Sequence, residues 1–178
     1  MRLCRRTVAS AGMRTSLVAA ANFAVLPLHA PAAEAAGCMP PQRALFSCST
    51  GTKTISVCGS QDLTANSGQL QYRFGHPAAV ELSYPPAGAD WRAVTHGGTL
   101  MFSGGGGAFL AFTNAPYRYI VYSAVGQGWG SKAGVVVEKD RKQIASLPCK
   151  GKATSELGPD LFSQAGIEEA ADGFELPR

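Results

Sequence analysis

Apolar and polar residues alternate with a period of two through most of the chain between residues 44 and 147, the signature of half-buried strands. Ala44–Cys48 (ALFSC) and Thr54–Cys58 (TISVC) alternate on either side of Thr50-Gly51-Thr52-Lys53, the composition of a hairpin turn. Gln69–Phe74 alternates and breaks at Gly75-His76-Pro77, and Ala79–Tyr84 follows and stops at Pro85-Pro86. Thr99–Phe102 and Ala108–Thr113 flank a glycine run, Tyr117–Ser123 is the strongest strand pattern, and Gly134–Glu138 with Gln143–Leu147 makes a last hairpin about Asp140-Arg141. No amphipathic helical stretch separates these segments. The pattern predicts an all-β domain, an antiparallel sandwich or small barrel of about eight strands. After Cys149 the alternation ends, and an acidic C-terminal arm begins in which Asp160–Ala165 reads as one short helix closed by Gly166.

Ahead of the strands the pattern is of another kind. Arg2, Arg5, Arg6 and Arg14 precede an apolar run from Leu17 to Leu28, and small residues follow it. That order describes a secretory signal peptide over residues 1–35, with cleavage after Ala32 or after Ala35. The run is too short for a comfortable bilayer span and nothing later is longer, so no membrane span is expected. Export leaves about 140 residues, enough for one domain with its own core. The organisation is a leader over 1–35, a β-domain over 36–152 and an arm over 153–178. The expected location is the periplasm or the exterior.

Removal of the leader takes Cys4 with it and leaves Cys38, Cys48, Cys58 and Cys149 for an oxidising compartment. Lipidation of Cys38 after Ala35-Ala36-Gly37 would leave an odd number of cysteines, and the large aliphatic residue expected three places earlier is missing. If the first hairpin turns at Gly51-Thr52, facing residues have numbers that sum to 103, so Cys48 faces Ile55 and Cys58 faces Leu45. Alternation then puts Phe46, Cys48, Ile55 and Val57 on one face and Cys58 on the other. A Cys48–Cys58 bridge would have to cross its own sheet. Cys48 is therefore expected to join Cys149, and Cys38 to join Cys58.

Charge changes with processing as well. Residues 36–152 carry eleven Lys or Arg against five Asp or Glu, whereas 153–178 carries Arg178 against Glu156, Asp160, Glu168, Glu169, Asp172 and Glu175. The arm reads as an acidic tail that is solvated or lies over the basic body, and the sharper alternative is a displaceable cover on an anion-binding face. Because every cysteine lies upstream, residues 159–178 read as separable from the folded domain. The near balance of charge in the exported chain gives no sign of nucleic-acid binding.

Catalytic and metal signals are weak. His76 and His96 are the only histidines after the leader, and each precedes a turn-forming Pro or Gly pair. Neither has the further ligands a zinc site needs, so no metal and no cofactor are implied. A hydrolase is the alternative function, using His96 and Ser103 with an acid such as Asp90 or Glu81, although no nucleophile elbow surrounds Ser103. Gly104–Gly107 and the Gly126–Gly130 segment are rich enough in glycine for a phosphate loop, but strands lie on both sides and no helix follows. They read as hairpin loops.

Aromatic and arginine side chains make the strongest binding signal. Tyr72-Arg73 and Tyr117-Arg118 repeat an aromatic–Arg pair, Tyr117 and Tyr119 share one side of a strand with Tyr122 opposite, and Trp129 sits in a glycine loop. Such residues supply contact area at low entropic cost. Tyr72, Arg73, Tyr117, Arg118, Tyr119 and Trp129 are the candidate binding residues, for an unknown protein or glycan ligand of the cell envelope. A structural accessory protein of the envelope, docking by its acidic tail, is a further possibility.

At Leu45–Cys48 (LFSC), Gln71–Gly75 (QYRFG), Tyr117–Tyr119 (YRY), Gly134–Glu138 (GVVVE) and Ala153–Pro159 (ATSELGP) the chain resembles a group of small exported proteins of Gram-negative bacteria. The resemblance covers most of residues 38–178 and implies a compartment without a mechanism. More loosely, the chain is similar to the periplasmic inhibitors of c-type lysozyme, which implies a small disulfide-bearing antiparallel barrel. Those inhibitors insert a Ser-Gly-x-x-Tyr loop. Here Ser103-Gly104 leads only to glycines and Phe109, and a basic body opposes a cationic enzyme. The function expected is that of an exported, non-catalytic binding or inhibitor-type module.

Overall fold

Strand alternation is realised as two five-stranded antiparallel sheets packed as a sandwich, with no closed barrel. The computed structural model describes residues 37–77 and 79–178; the leader and its cleavage sites lie outside the described residues. In chain order the strands are β1 (Arg43–Ser49), β2 (Thr54–Gly59), β3 (Leu70–His76), β4 (Ala79–Tyr84), β5 (Thr95–Phe102), β6 (Gly105–Asn114), β7 (Tyr117–Gly126), β8 (Gly130–Lys139), β9 (Lys142–Pro148) and β10 (Thr154–Ser155). A 3-10 turn, Trp91–Val94, precedes β5, and one helix, α1 (Pro159–Ala165), follows β10. The first sheet has the order β10-β1-β2-β3-β4 and the second is the meander β5-β6-β7-β8-β9.

The inner faces meet in a core that includes Phe46, Ile55, Val57 and Tyr72 from one side and Leu110, Phe112, Val121 and Val135 from the other. Each such side chain contributes about 1.5–3 kcal/mol on burial. Trp91 is fully buried among them, and its indole N–H donates to the Gly68 carbonyl at 3.1 Å. Leu161, Phe162 and Ala165 of α1 join the same core. The helix ends where Gly166 takes a left-handed φ of 65° and its N–H reaches the Phe162 and Ser163 carbonyls, the usual terminating geometry for glycine.

Each disulfide ties a strand to a segment outside the strands, Cys48 of β1 to Cys149 just past β9 and Cys58 of β2 to Cys38 ahead of β1, at ordinary separations. Cys48 joins Cys149 with a Cα–Cα distance of 5.7 Å, and Cys38 joins Cys58 at 5.5 Å. The register behind them differs at one residue from the simple hairpin. Cys48 faces Ile55 and Phe46 faces Val57, but a bulge at Leu45 makes Ala44, not Leu45, the partner of Cys58. The extra residue allows adjacent Leu45 and Phe46 both to be fully buried in the core, which strict alternation forbids. Cys58 stays on the outer face with Thr54 and Ser56, where it holds the N-terminal segment.

Two glycine segments read as turns are strands. His96-Gly97-Gly98 belongs to β5 and Gly105–Gly107 to β6, so the intervening turn is only Ser103-Gly104. The physical reason is close approach: a Cβ on Gly98 would stand 2.6 Å from Cε1 of the Phe109 ring. Here glycine makes room within a sheet rather than reversing the chain.

The C-terminal arm packs on the β-domain rather than standing free of it. Beyond α1 it hydrogen-bonds to the edge of β5, with Gly97 N–H donating to the Glu168 carbonyl at 3.0 Å and Ala170 N–H to the Gly97 carbonyl at 2.8 Å. It then crosses the outer face of the second sheet as a strap. Ala170, Phe174 and Leu176 pack there on Phe109, Ala111, Ile120, Tyr122 and Val136. A sheet apolar on both faces needs a cover on each, and the strap is the second cover.

Candidate functional site: a cleft between the strap and the sheet

At the end of the second sheet where β6 turns into β7, the strap stands off and leaves a cleft of about 500 Å3, a size suited to a small ligand or a side chain of a larger one. Its floor is Ala111, Thr113, Ala115 and Pro116, and its rim carries His96, Tyr117, Arg118, Glu138, Asp140, Arg141 and the strap carboxylates Glu168, Glu169 and Asp172. Four pieces of backbone supply these groups: the start of β5, the β6–β7 turn, the β8–β9 turn and the strap. The two turns are tied together by the Asp140 N–H, which donates to the Pro116 carbonyl at 3.0 Å.

Arg118 is the hub of the rim. It lies directly across from Glu138 in the β7–β8 register, and its Nη1 stands 3.4 Å from Glu138 Oε2. Its Nη2 donates to the Asp172 carbonyl at 3.4 Å, which links β7 to the strap. Arg141 Nη2 lies 3.8 Å from Asp172 Oδ2 in a solvent-exposed pair. Lys139, across from Tyr117, has its ammonium 5.7 Å from the Tyr117 ring centroid. The cleft therefore presents an apolar floor, guanidinium donors and several carboxylate acceptors, with Tyr117 at its edge.

The six residues singled out from the sequence do not share one surface. Tyr117 and Arg118 line the cleft. Tyr72 is instead a core residue, 1% exposed, with its ring 5.3 Å from Tyr119 and 5.9 Å from Phe112. Burial pushes its hydroxyl well above the ordinary tyrosine range, and Tyr119 adds to the shift. Tyr119 faces the same core from β7 and is likewise raised, by burial and then by Tyr117 and Tyr84. Arg73 is buried on the outer face of the first sheet, where it donates to the Gly37 carbonyl at 2.6 Å and to Gln71 Oε1 at 2.9 Å. Burial lowers its pKa. Trp129 lies at the far end of the second sheet. A strand places neighbouring residues on opposite faces, so within β3 the Tyr72-Arg73 dipeptide sends one side chain into the core and the other to the outer face.

His96 stands near the start of β5 and Ser103 just past its other end. Seven residues of extended chain separate them by about 23 Å at roughly 3.3 Å per residue. They cannot form a nucleophile–base pair. His96 is not a turn residue; it lies opposite Ala111 and lines the cleft. His76 closes β3, with Nε2 3.8 Å from Glu81 Oε1. Among the described residues, no group of three His, Cys, Asp or Glu side chains is placed to hold a metal ion, and no helix is long and apolar enough to cross a membrane.

The sequence marks Glu168, Glu169 and Asp172 only as part of an acidic arm and gives no sign that they meet Glu138. Glu138, Glu168, Glu169 and Asp172 come together only because the strap folds back over the sheet, and no spacing rule links them. No family model, no characterised protein and no solved structure matches the chain.

Proposed function

We propose that this chain is an exported, disulfide-stapled binding module that does no covalent chemistry and takes its ligand in the cleft between the C-terminal strap and the β6–β7 turn. The observation that carries this reading is the convergence on that cleft of Tyr117 and Arg118 with side chains from three other parts of the chain. Donors and acceptors of both signs above an apolar floor suit a polar group of a protein or glycan in the cell envelope. The distance between His96 and Ser103 speaks against the hydrolase. The acidic arm packs on its own sheet, which speaks against an accessory protein that docks by a free tail. The paired cysteines support an oxidising compartment, in keeping with the exported proteins that the chain resembles.

The test is retention of envelope components. Immobilised processed chain is exposed to periplasmic extract and to soluble peptidoglycan fragments, beside a Tyr117→Ala/Arg118→Ala variant of unchanged circular dichroism. A component held by the parent and lost by the variant is the expected result. Identical retention by both, or turnover of an ester, peptide or glycoside that His96→Ala abolishes, would sink the proposal.

A further inference from the structure

The end of the second sheet opposite the cleft carries a feature that the binding reading does not use. There the β5–β6 and β7–β8 turns lie side by side, joined by the Gln127 N–H donating to the Gly104 carbonyl at 2.9 Å and by the pairing of Gly105 with Gly126. We propose that these two joined tips form an apolar wedge that seats in the interfacial layer of an anionic lipid bilayer.

The register shows why the tip is apolar on both faces. Met101, Gly106 and Val125 lie in one cross-strand row, and Phe102, Gly105 and Gly126 lie in the next, pointing the other way. On the first face Met101 is 90% exposed and Val125 59%. On the second, the Trp129 ring lies against Gly126, where any Cβ would overlap it, and its centroid is 5.5 Å from that of Phe102. Trp129 remains 39% exposed. Glycine at both central positions removes side chains that would otherwise separate the aromatic rings from the sheet.

A tip apolar on both faces fits a medium that surrounds it, and a Trp is the side chain that settles at the headgroup level. The charges agree. Residues 91–137 contain no Asp or Glu, so the two tips carry no carboxylate to oppose an anionic surface, and Glu138 lies at the other end of β8. Lys132 holds its ammonium 5.5 Å from the Trp129 ring centroid, behind the tip. A second cavity of about 660 Å3 bordering Val125 and Lys132 is lined also by Lys152 and Arg178. Apolar tips with cations set back from them reproduce the order of an acyl boundary beneath anionic headgroups.

The test is cosedimentation of the processed chain with vesicles of phosphatidylethanolamine and phosphatidylglycerol, beside vesicles of phosphatidylcholine alone. Binding to the anionic vesicles that weakens with added salt is expected, with a blue shift in emission from Trp129, since Trp91 is already buried. Trp129→Ala should weaken the partition about tenfold, and Lys132→Gln about fivefold. Met101→Ser/Val125→Ser, at exposed positions that leave the core intact, should also release the chain. The idea fails if no vesicle binds, if anionic and zwitterionic vesicles bind alike, or if the Met101/Val125 variant binds as the parent does. Loss of an envelope protein or glycan by these same variants, with no vesicle binding in the parent, would reassign the tip to that partner.

Discussion

The ring of Phe174 lies 5.5 Å from that of Tyr122, on the face of the second sheet turned away from the sandwich core. Phe109 completes the group, 5.4 Å from the same Phe174 ring. Aromatic pairs of this geometry add about 0.5–1.5 kcal/mol each beyond burial of area. Phe174 is thus the central fastening of the strap, which in turn forms one wall of the cleft.

Phe174→Ala should destabilise the domain by about 1–3 kcal/mol, read as a shift in urea midpoint, and should raise binding of an apolar dye as Ile120 and Val136 lose their cover. Phe162→Ala, which empties part of the main core, should cost more, about 3–5 kcal/mol. A chain cut after Leu157 that unfolds at the parent's midpoint would show that neither α1 nor the strap belongs to the cooperative unit.

The two disulfides should differ in value. The Cys48–Cys149 bridge spans 101 residues and Cys38–Cys58 spans 20. The chain-entropy relation gives about 4.7 kcal/mol for the first and about 3.3 kcal/mol for the second. Replacing Cys48 and Cys149 by Ser should therefore lower the denaturation midpoint further than replacing Cys38 and Cys58. The reverse order would mean that anchoring the N-terminal segment over the outer face of the first sheet outweighs loop closure.

Alkaline pH should unfold the protein through its buried tyrosines. Tyr72, Tyr119 and Tyr122 are all raised, chiefly by burial. Above about pH 10, where an unfolded tyrosine loses its proton, the unfolded chain binds fewer protons than the native one. Stability is then full below that pH and falls as pH rises beyond it. Tyr72→Phe should change stability at neutral pH by less than about 1.5 kcal/mol and flatten the alkaline decline, as measured by urea titrations at successive pH values.

Asp140 and Arg141, the two residues of the last hairpin turn, have positive φ values of 51° and 61°. A residue with a β-carbon carries a penalty there of about 1–2 kcal/mol. Arg141→Gly should raise the melting temperature, because the contact it loses with Asp172 is solvent-exposed and weak. A lower melting temperature would show that Arg141 pins the strap more strongly than its geometry indicates.

Strand positions, the short helix at Asp160–Ala165, the all-β class and the faces on which Cys48 and Cys58 lie were legible in the sequence, because alternation and turn chemistry are local properties. The same local rules failed wherever a residue answers to a distant partner. Gly97 and Gly98 look like a turn until Phe162 and Phe109 are seen against them, and Leu45 looks like a facing residue until the core claims it beside Phe46. Tyr72-Arg73 looks like a ligand grip, yet alternation sends one side chain into the core and the other to the outer face. The acidic arm gave no hint that Phe174 and Leu176 cover a second apolar face, because no sequence period connects residue 174 to residues 109 and 122. Local alternation was enough to place most of the extended segments and to say which thiols can meet. Which glycines sit under rings, what the tail covers and which charges gather at the cleft depend on long-range packing between elements that carry no mark of one another.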